Sequence, residues 1–188
     1  MNKPIVLGKN AKPHGRGPAL VLCDPRYPHN LGAAVRAASC YGLSQVWFTG
    51  ERVRLEIEAK KRLPREERMK GYKDVDIISF DRPLEQFPRD CTPVAVEVRE
   101  NAELLPNFVH PENAIYVFGP EDGSIPQAVL AACHRFLRIP TRHCLNLGVA
   151  VGTILYDRHV KLGGEWALAE EQEQVEDAKV EFGDVLFA

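Results

Sequence analysis

The sequence predicts an α/β domain on a mainly parallel sheet, with helices on both faces. Apolar runs of strand length recur at 19–23, 45–49, 77–80, 93–98, 114–118 and 136–139. Helix-like pieces separate them, and Gly, Pro or Asn marks many of the junctions. Strands alternating with helices build parallel βαβ units. The chain has 188 residues, 45% hydrophobic and 27% charged. Those are ordinary globular values, and a core of this size needs neither disulfide nor metal.

Taken in order, residues 1–18 are rich in Lys, Gly and Pro and read as a basic arm. Ala19–Cys23 is a buried strand by length. Residues 24–29 form a loop, because Pro25 and Pro28 resist helix. Asn30 is a good N-cap for a helix through about Tyr41, which Gly42 ends. Gln45–Thr49, Ile77–Phe80, Pro93–Val98 and Ala114–Phe118 are further strands. Pro126–Cys133 opens with proline and reads as a helix. Phe136–Ile139 is a strand, and a last helix runs from about Asn146 to Leu162. Gly163-Gly164 then breaks the chain before an acidic tail. The expected organisation is an arm (1–18), an α/β domain (19–163) and a tail (164–188).

The net charge of −2 points to no partner by itself, but it is unevenly spread. Residues 165–188 carry eight acids and one base, leaving +5 on the rest. Nine bases fall within residues 52–73, and four more within the first 16. A basic body suits a polyanion partner, although a solvated charged helix is the plainer reading of the 52–73 run. The five cysteines (Cys23, Cys40, Cys91, Cys133 and Cys144) include no CxxC pair, so neither a secreted disulfide framework nor a zinc ribbon is implied. A cytoplasmic protein is expected. Cys133-His134 and His143-Cys144 carry metal-ligand types, but adjacent residues seldom chelate one ion well, and no metal is expected. No apolar run approaches the roughly 20 residues of a membrane span, and the N-terminus has no signal-peptide core.

In a parallel sheet, ligands sit beyond the carboxyl ends of the strands. That directs attention to residues 24–32, 119–125 and 140–147. The first loop opens a slim helix, Asn30-Leu-Gly32-Ala-Ala-Val-Arg36, whose guanidinium suits phosphate or carboxylate. The second, Gly119-Pro120-Glu121-Asp122-Gly123-Ser124, can offer backbone groups to a ligand, with Glu121 or Asp122 free to cap the next helix. It lacks both GxGxxG and the Walker lysine. In the third, Asn146 can cap the last helix, and Gly148 and Gly152 clear one face for close packing.

Three motifs in this order, Asn30-x-Gly32-x-x-x-Arg36, Phe118-Gly119-Pro120-Glu121 and Ile139-Pro140…Leu145-Asn146, resemble the SPOUT RNA methyltransferases of the TrmH type, and most of all the short TrmL-like enzymes. The resemblance covers about residues 19–162. It implies a C-terminal trefoil knot, S-adenosylmethionine as cofactor, a homodimer built through the last helix, and methyl transfer to a ribose 2′-hydroxyl of RNA, with tRNA favoured over rRNA. By position it implies cofactor contacts from Val96, Gly119, Ile139, Cys144 and Leu147. It assigns Arg36 as the catalytic arginine, with Asn30, Glu121 and Asn146 shaping the site. Cys144 stands where the family usually has serine, and the segment before Leu145 is short. A non-catalytic RNA-binding protein on the same fold, or an RNA base methyltransferase, is the alternative reading.

Overall fold

The structure, a computed structural model, describes residues 6–7, 19–60, 75–80, 87 and 89–163. The arm apart from residues 6–7, most of the basic 52–73 run and the tail beyond Gly163 lie outside the described residues. The strands are β1 (Val6–Leu7), β2 (Ala19–Leu22), β3 (Gln45–Phe48), β4 (Asp76–Ser79), β5 (Thr92–Val96), β6 (Glu103–Leu104), β7 (Ala114–Phe118) and β8 (Arg135–Arg138). The helices are α1 (Pro28–Cys40), α2 (Arg54–Lys60), α3 (Gln127–Ala131) and α4 (Leu147–Lys161). The strands form one sheet in the order β1-β4-β3-β2-β7-β5-β8-β6. Every pairing is parallel except β1 with β4.

Both faces of the sheet are covered, so its central strands are largely apolar, with Gln45, Asp76 and Ser79 buried at strand ends. β2, β3, β4 and β7 are buried at every residue. Alternation along each strand sorts the side chains. Leu20, Leu22, Phe48, Tyr116 and Phe118 face Leu31 and Val35 of α1, Ile57 of α2 and Val151, Ile154 and Leu155 of α4. Val21, Trp47, Ile78, Ile115 and Val117 face Val129 of α3 and Cys133. The predicted α/β class and the strands at 19–23, 45–49, 77–80, 93–98, 114–118 and 136–139 are present, within two residues at each end. The two-residue β6 is too short to show periodicity. Among the described residues no helix is long and apolar enough to cross a membrane.

Two local expectations need correction. Asn30 does not cap α1: the helix begins two residues earlier, Pro28 sits in its first turn, and Tyr27 is the N-cap without a side-chain bond. Proline's fixed φ and absent N–H suit the first helical position, which moves the start forward and frees the Asn30 side chain. Neither Glu121 nor Asp122 caps α3, which starts after Pro126 with no side-chain cap. Asn146 does cap α4, accepting from Gly148 N at 2.9 Å and Val149 N at 3.4 Å.

The two glycines of α4 differ. A Cβ on Gly148 would lie 2.6 Å from the Ala33 Cβ on α1, whereas one on Gly152 would meet nothing within 4 Å. Gly148 therefore permits the close α1–α4 contact, and Gly152 does not. Since neither methyl can swing aside, Gly148→Ala should destabilise the fold by about 1–3 kcal/mol, the usual range for overpacking. Ala33→Gly in the same chain should recover part of that loss; chemical denaturation of the single and double variants measures the coupling.

α4 is also held at its far end. The buried His110 ring bonds the Tyr116 hydroxyl at 2.6 Å and Asp157 Oδ2 at 2.8 Å. Asp157 pairs with Lys161 at 2.7 Å, and Lys161 donates to the carbonyls of Leu105 and Phe108. Burial pushes the His110 pKa below its ordinary 6.5, against the pull of Asp157 and with the help of Lys161 and Arg158. The folded state thus resists a proton that the unfolded chain accepts below about 6.5. Stability should fall as pH drops through that value, by up to about 1.4 kcal/mol per pH unit. His110→Gln should flatten this slope in unfolding curves recorded between pH 7.5 and 5.5.

Candidate active site

The carboxyl ends of β5, β7 and β8, the start of α1 and the start of α4 enclose a cavity of about 470 Å³. That volume lies in the usual range for a small-molecule or cofactor site. All five residues expected to hold a cofactor line it: Val96, Gly119, Ile139, Cys144 and Leu147. So do Asn30, Glu121 and Asn146. Arg36 does not: it is exposed on α1, and among the described residues no ion pair or side-chain hydrogen bond holds it.

A chain of side-chain bonds joins the three loops. Asn146 Nδ2 donates to Asn30 Oδ1 at 2.9 Å, while Asn146 Oδ1 is held by the first N–H groups of α4. Asn30 Nδ2 in turn donates to Glu121 Oε1. Glu121 Oε2 accepts from the backbone N–H of Arg26 at 2.7 Å. Asn30 is 2% exposed, so each end of its amide is committed to one partner and a flip would place like groups together. Partial desolvation raises the Glu121 pKa, but the Asn30 amide and the N–H groups of Arg26, Glu121 and Tyr27 outweigh it. The carboxyl therefore titrates below its ordinary 4.5 and is an anion at neutral pH. It is an acceptor that orients Asn30, and a poor base.

Sequence reading missed the brace beneath this chain. Arg52 pairs with Asp24 at 2.9 Å and with Asp122 at 2.9 Å, and it also donates to the Asp24 carbonyl. Its hydrogen bonds with Asp122 raise its pKa and lower that of Asp122. Arg26 reaches Asp122 as well, at 3.5 Å. Asp24 sits at φ 45°, packed where a side chain on Gly50 would be. In the sequence, Arg52 is merely the first base of a charged run. Only the β7-β2-β3 strand order brings its partners beside it. Glu97 was missed too; it accepts from Ile125 N at 3.1 Å and steadies the 119–125 loop.

The cavity suits S-adenosylmethionine. A Cβ on Gly119 would lie 2.9 Å from Ile125 N, so the loop turns there at a bare backbone. Val96, Ile139, Leu145 and Leu147 give apolar walls for an adenine ring, and the loop backbones supply polar groups around them. Arg138 lies on the wall, and among the described residues its buried Nε has no acceptor. Cys144 is exposed at the cavity, whereas Cys133 is buried and donates to the Val129 carbonyl. Burial pushes the Cys133 thiol up to about 11, which leaves it unreactive.

Comparison with known proteins agrees with this geometry. The SpoU rRNA Methylase family matches residues 17–156. No curated protein sequence matches the chain. A solved structure concerned with the 2-OH methylation of C/U34 on tRNA is 29% identical, with a TM-score of 0.67 over 80% of this chain and 99% of the other. The A. aeolicus TrmH/SpoU tRNA modifying enzyme is 19% identical, with a TM-score of 0.69 over 93% of this chain and 92% of the other. The SpoU methyltransferase AviRb from Streptomyces viridochromogenes, in complex with AdoMet, is 18% identical, with a TM-score of 0.57 over 78% of this chain and 61% of the other. The family match spans most of the chain, and the cavity lies within it: the chain belongs to the SpoU rRNA methylase family, RNA methyltransferases that use S-adenosylmethionine.

Proposed function

We propose that this chain methylates a ribose 2′-hydroxyl of RNA, with tRNA favoured over rRNA, as a cytoplasmic homodimer. The Asn146–Asn30–Glu121 chain at the cofactor cavity carries this reading. The 29%-identical structure concerned with methylation of C/U34 on tRNA supports the ribose target. Residues 19–163 would be the catalytic domain, with the 1–18 arm and the 164–188 tail as appendages. The implied trefoil knot belongs to this proposal.

Bound in the cavity, S-adenosylmethionine supplies an electrophilic methyl group on a sulfonium. The chain's own work is to hold the ribose and to polarise a weak nucleophile. Arg36 is suited to orient the ribose and an adjacent phosphate. A guanidinium offers five donors and no acceptor, so it is no base. Asn30, locked by Glu121 and Asn146, offers a rigid amide beside the cofactor. Val149, Tyr156 and Val160 leave an apolar stripe on α4, beside the open Gly152, which supports dimerisation there.

Labelled S-adenosylmethionine supplied with fractionated tRNA and rRNA, followed by nucleoside mapping, tests the reading. Label in a 2′-O-methyl nucleoside of tRNA is expected. Label on a base would redirect the reading to a base methyltransferase, and cofactor binding without transfer to an RNA-binding protein.

A further inference from the structure

The end of the β2–α1 loop and the first turn of α1 present two rings that neither the Asn30 chain nor the hydrophobic core employs. Tyr27 and His29 both line the cavity, and both are exposed, Tyr27 at 41%. The rings are stacked, with centroids 5.2 Å apart and planes 20° apart. The Arg26 guanidinium lies 5.2 Å from the Tyr27 centroid. The Tyr27 side chain makes no capping bond to α1, and among the described residues neither ring has a hydrogen-bond partner. Pro25 restricts the loop before Tyr27 and Pro28 opens the helix that carries His29, so the backbone under both rings is already ordered.

We propose that the Tyr27–His29 stack at the cavity rim is the platform on which the nucleobase of the target nucleotide stacks. This rests on the reading of the substrate as RNA. Two near-parallel rings accept a third on an outer face, and every nucleobase has a π-face to offer. Arg26 supplies a cation for the neighbouring phosphate. Asn30 follows His29 directly, so a base on the stack brings its ribose toward the Asn30 amide and the cofactor cavity. Stacking gives affinity and register with little base identity. It requires a base already free of its helix, so the platform selects loops over duplexes.

The test uses the full chain and a seven-nucleotide RNA with a central 2-aminopurine, whose fluorescence is quenched on stacking. Saturable quenching is expected. Tyr27→Ala and His29→Ala should each weaken it about tenfold, and Tyr27→Phe should retain it. With unmodified tRNA as methyl acceptor, the loss should fall mainly on KM. A thermal unfolding midpoint close to that of the wild-type chain guards against a misfolded variant. No quenching by the wild-type chain, or affinity within twofold in both alanine variants, overturns the platform. Quenching that depends on Tyr27, in a chain that methylates no RNA, would leave the platform standing and remove the proposed function instead.

Discussion

Arg36→Ala is expected to lower methyl transfer by about a thousandfold, the scale on which removal of one charge-stabilising donor acts. The fold should be nearly untouched. Arg36 is exposed and unpaired among the described residues, and alanine is a better helix former. A change within about 0.5 kcal/mol is the surface norm. Cofactor affinity should also hold, because Arg36 is absent from the cavity wall. Arg36→Lys keeps the charge but loses the planar fork, and should recover little activity. Incorporation of labelled methyl into tRNA, with calorimetry for the cofactor, reads all three. Near-normal turnover by the alanine variant would remove Arg36 from the chemistry.

The second large effect concerns Asn30. Asn30→Asp has the same shape but turns the donor facing Glu121 into a second acceptor. Two carboxylates then meet, and one must take up a proton. Stability should fall by about 1–3 kcal/mol and activity by about a hundredfold. The shared carboxyl pKa is raised in the folded state, so the stability deficit should shrink as pH falls and grow as pH rises. Adding Glu121→Gln exchanges donor and acceptor. The new carboxylate on α1 then accepts from the new amide of the 119–125 loop and from Asn146. The oxygen of that new amide still accepts from the Arg26 N–H. The double variant should regain most of the stability. If its activity stays low, the Asn30 amide itself is needed at the ribose; if it returns, only a rigid connection is. Thermal unfolding and initial rates from the same preparations separate these outcomes.

How much of this was legible follows from where each cause lies. Asn146 was readable as a cap because its cause is local to α4; Gly148 was readable as a clearance from its lack of a side chain, but the helix it makes room for, α1 with Ala33, was not. The five cavity residues were readable because the family motifs fall at strand ends, where a parallel sheet places its ligands. Asn30 was found but misread: an asparagine before an apolar run looks like a cap, and Pro28 won the helix start. Its real partners lie 91 and 116 residues away. Arg52 carries no local signal, because its role exists only once β2, β3 and β7 stand side by side. Gly152 lies one helical turn beyond Gly148 but faces open space, a difference that spacing alone does not carry. Tyr27 and His29 read as loop residues, since stacking geometry has no sequence signature.

The span of the Asn30–Asn146 bond also orders events during synthesis. Its two ends are 116 residues apart, so nearly the whole domain must leave the ribosome before they meet. Contacts of such separation form late, because loop closure must come first. A chain that ends before Asn146 lacks the residues that close the pocket, and is expected to bind cofactor poorly. Ligand affinity is therefore a gauge of completed folding. Through mass action, a tight-binding cofactor adds stability only to chains that have closed this last connection.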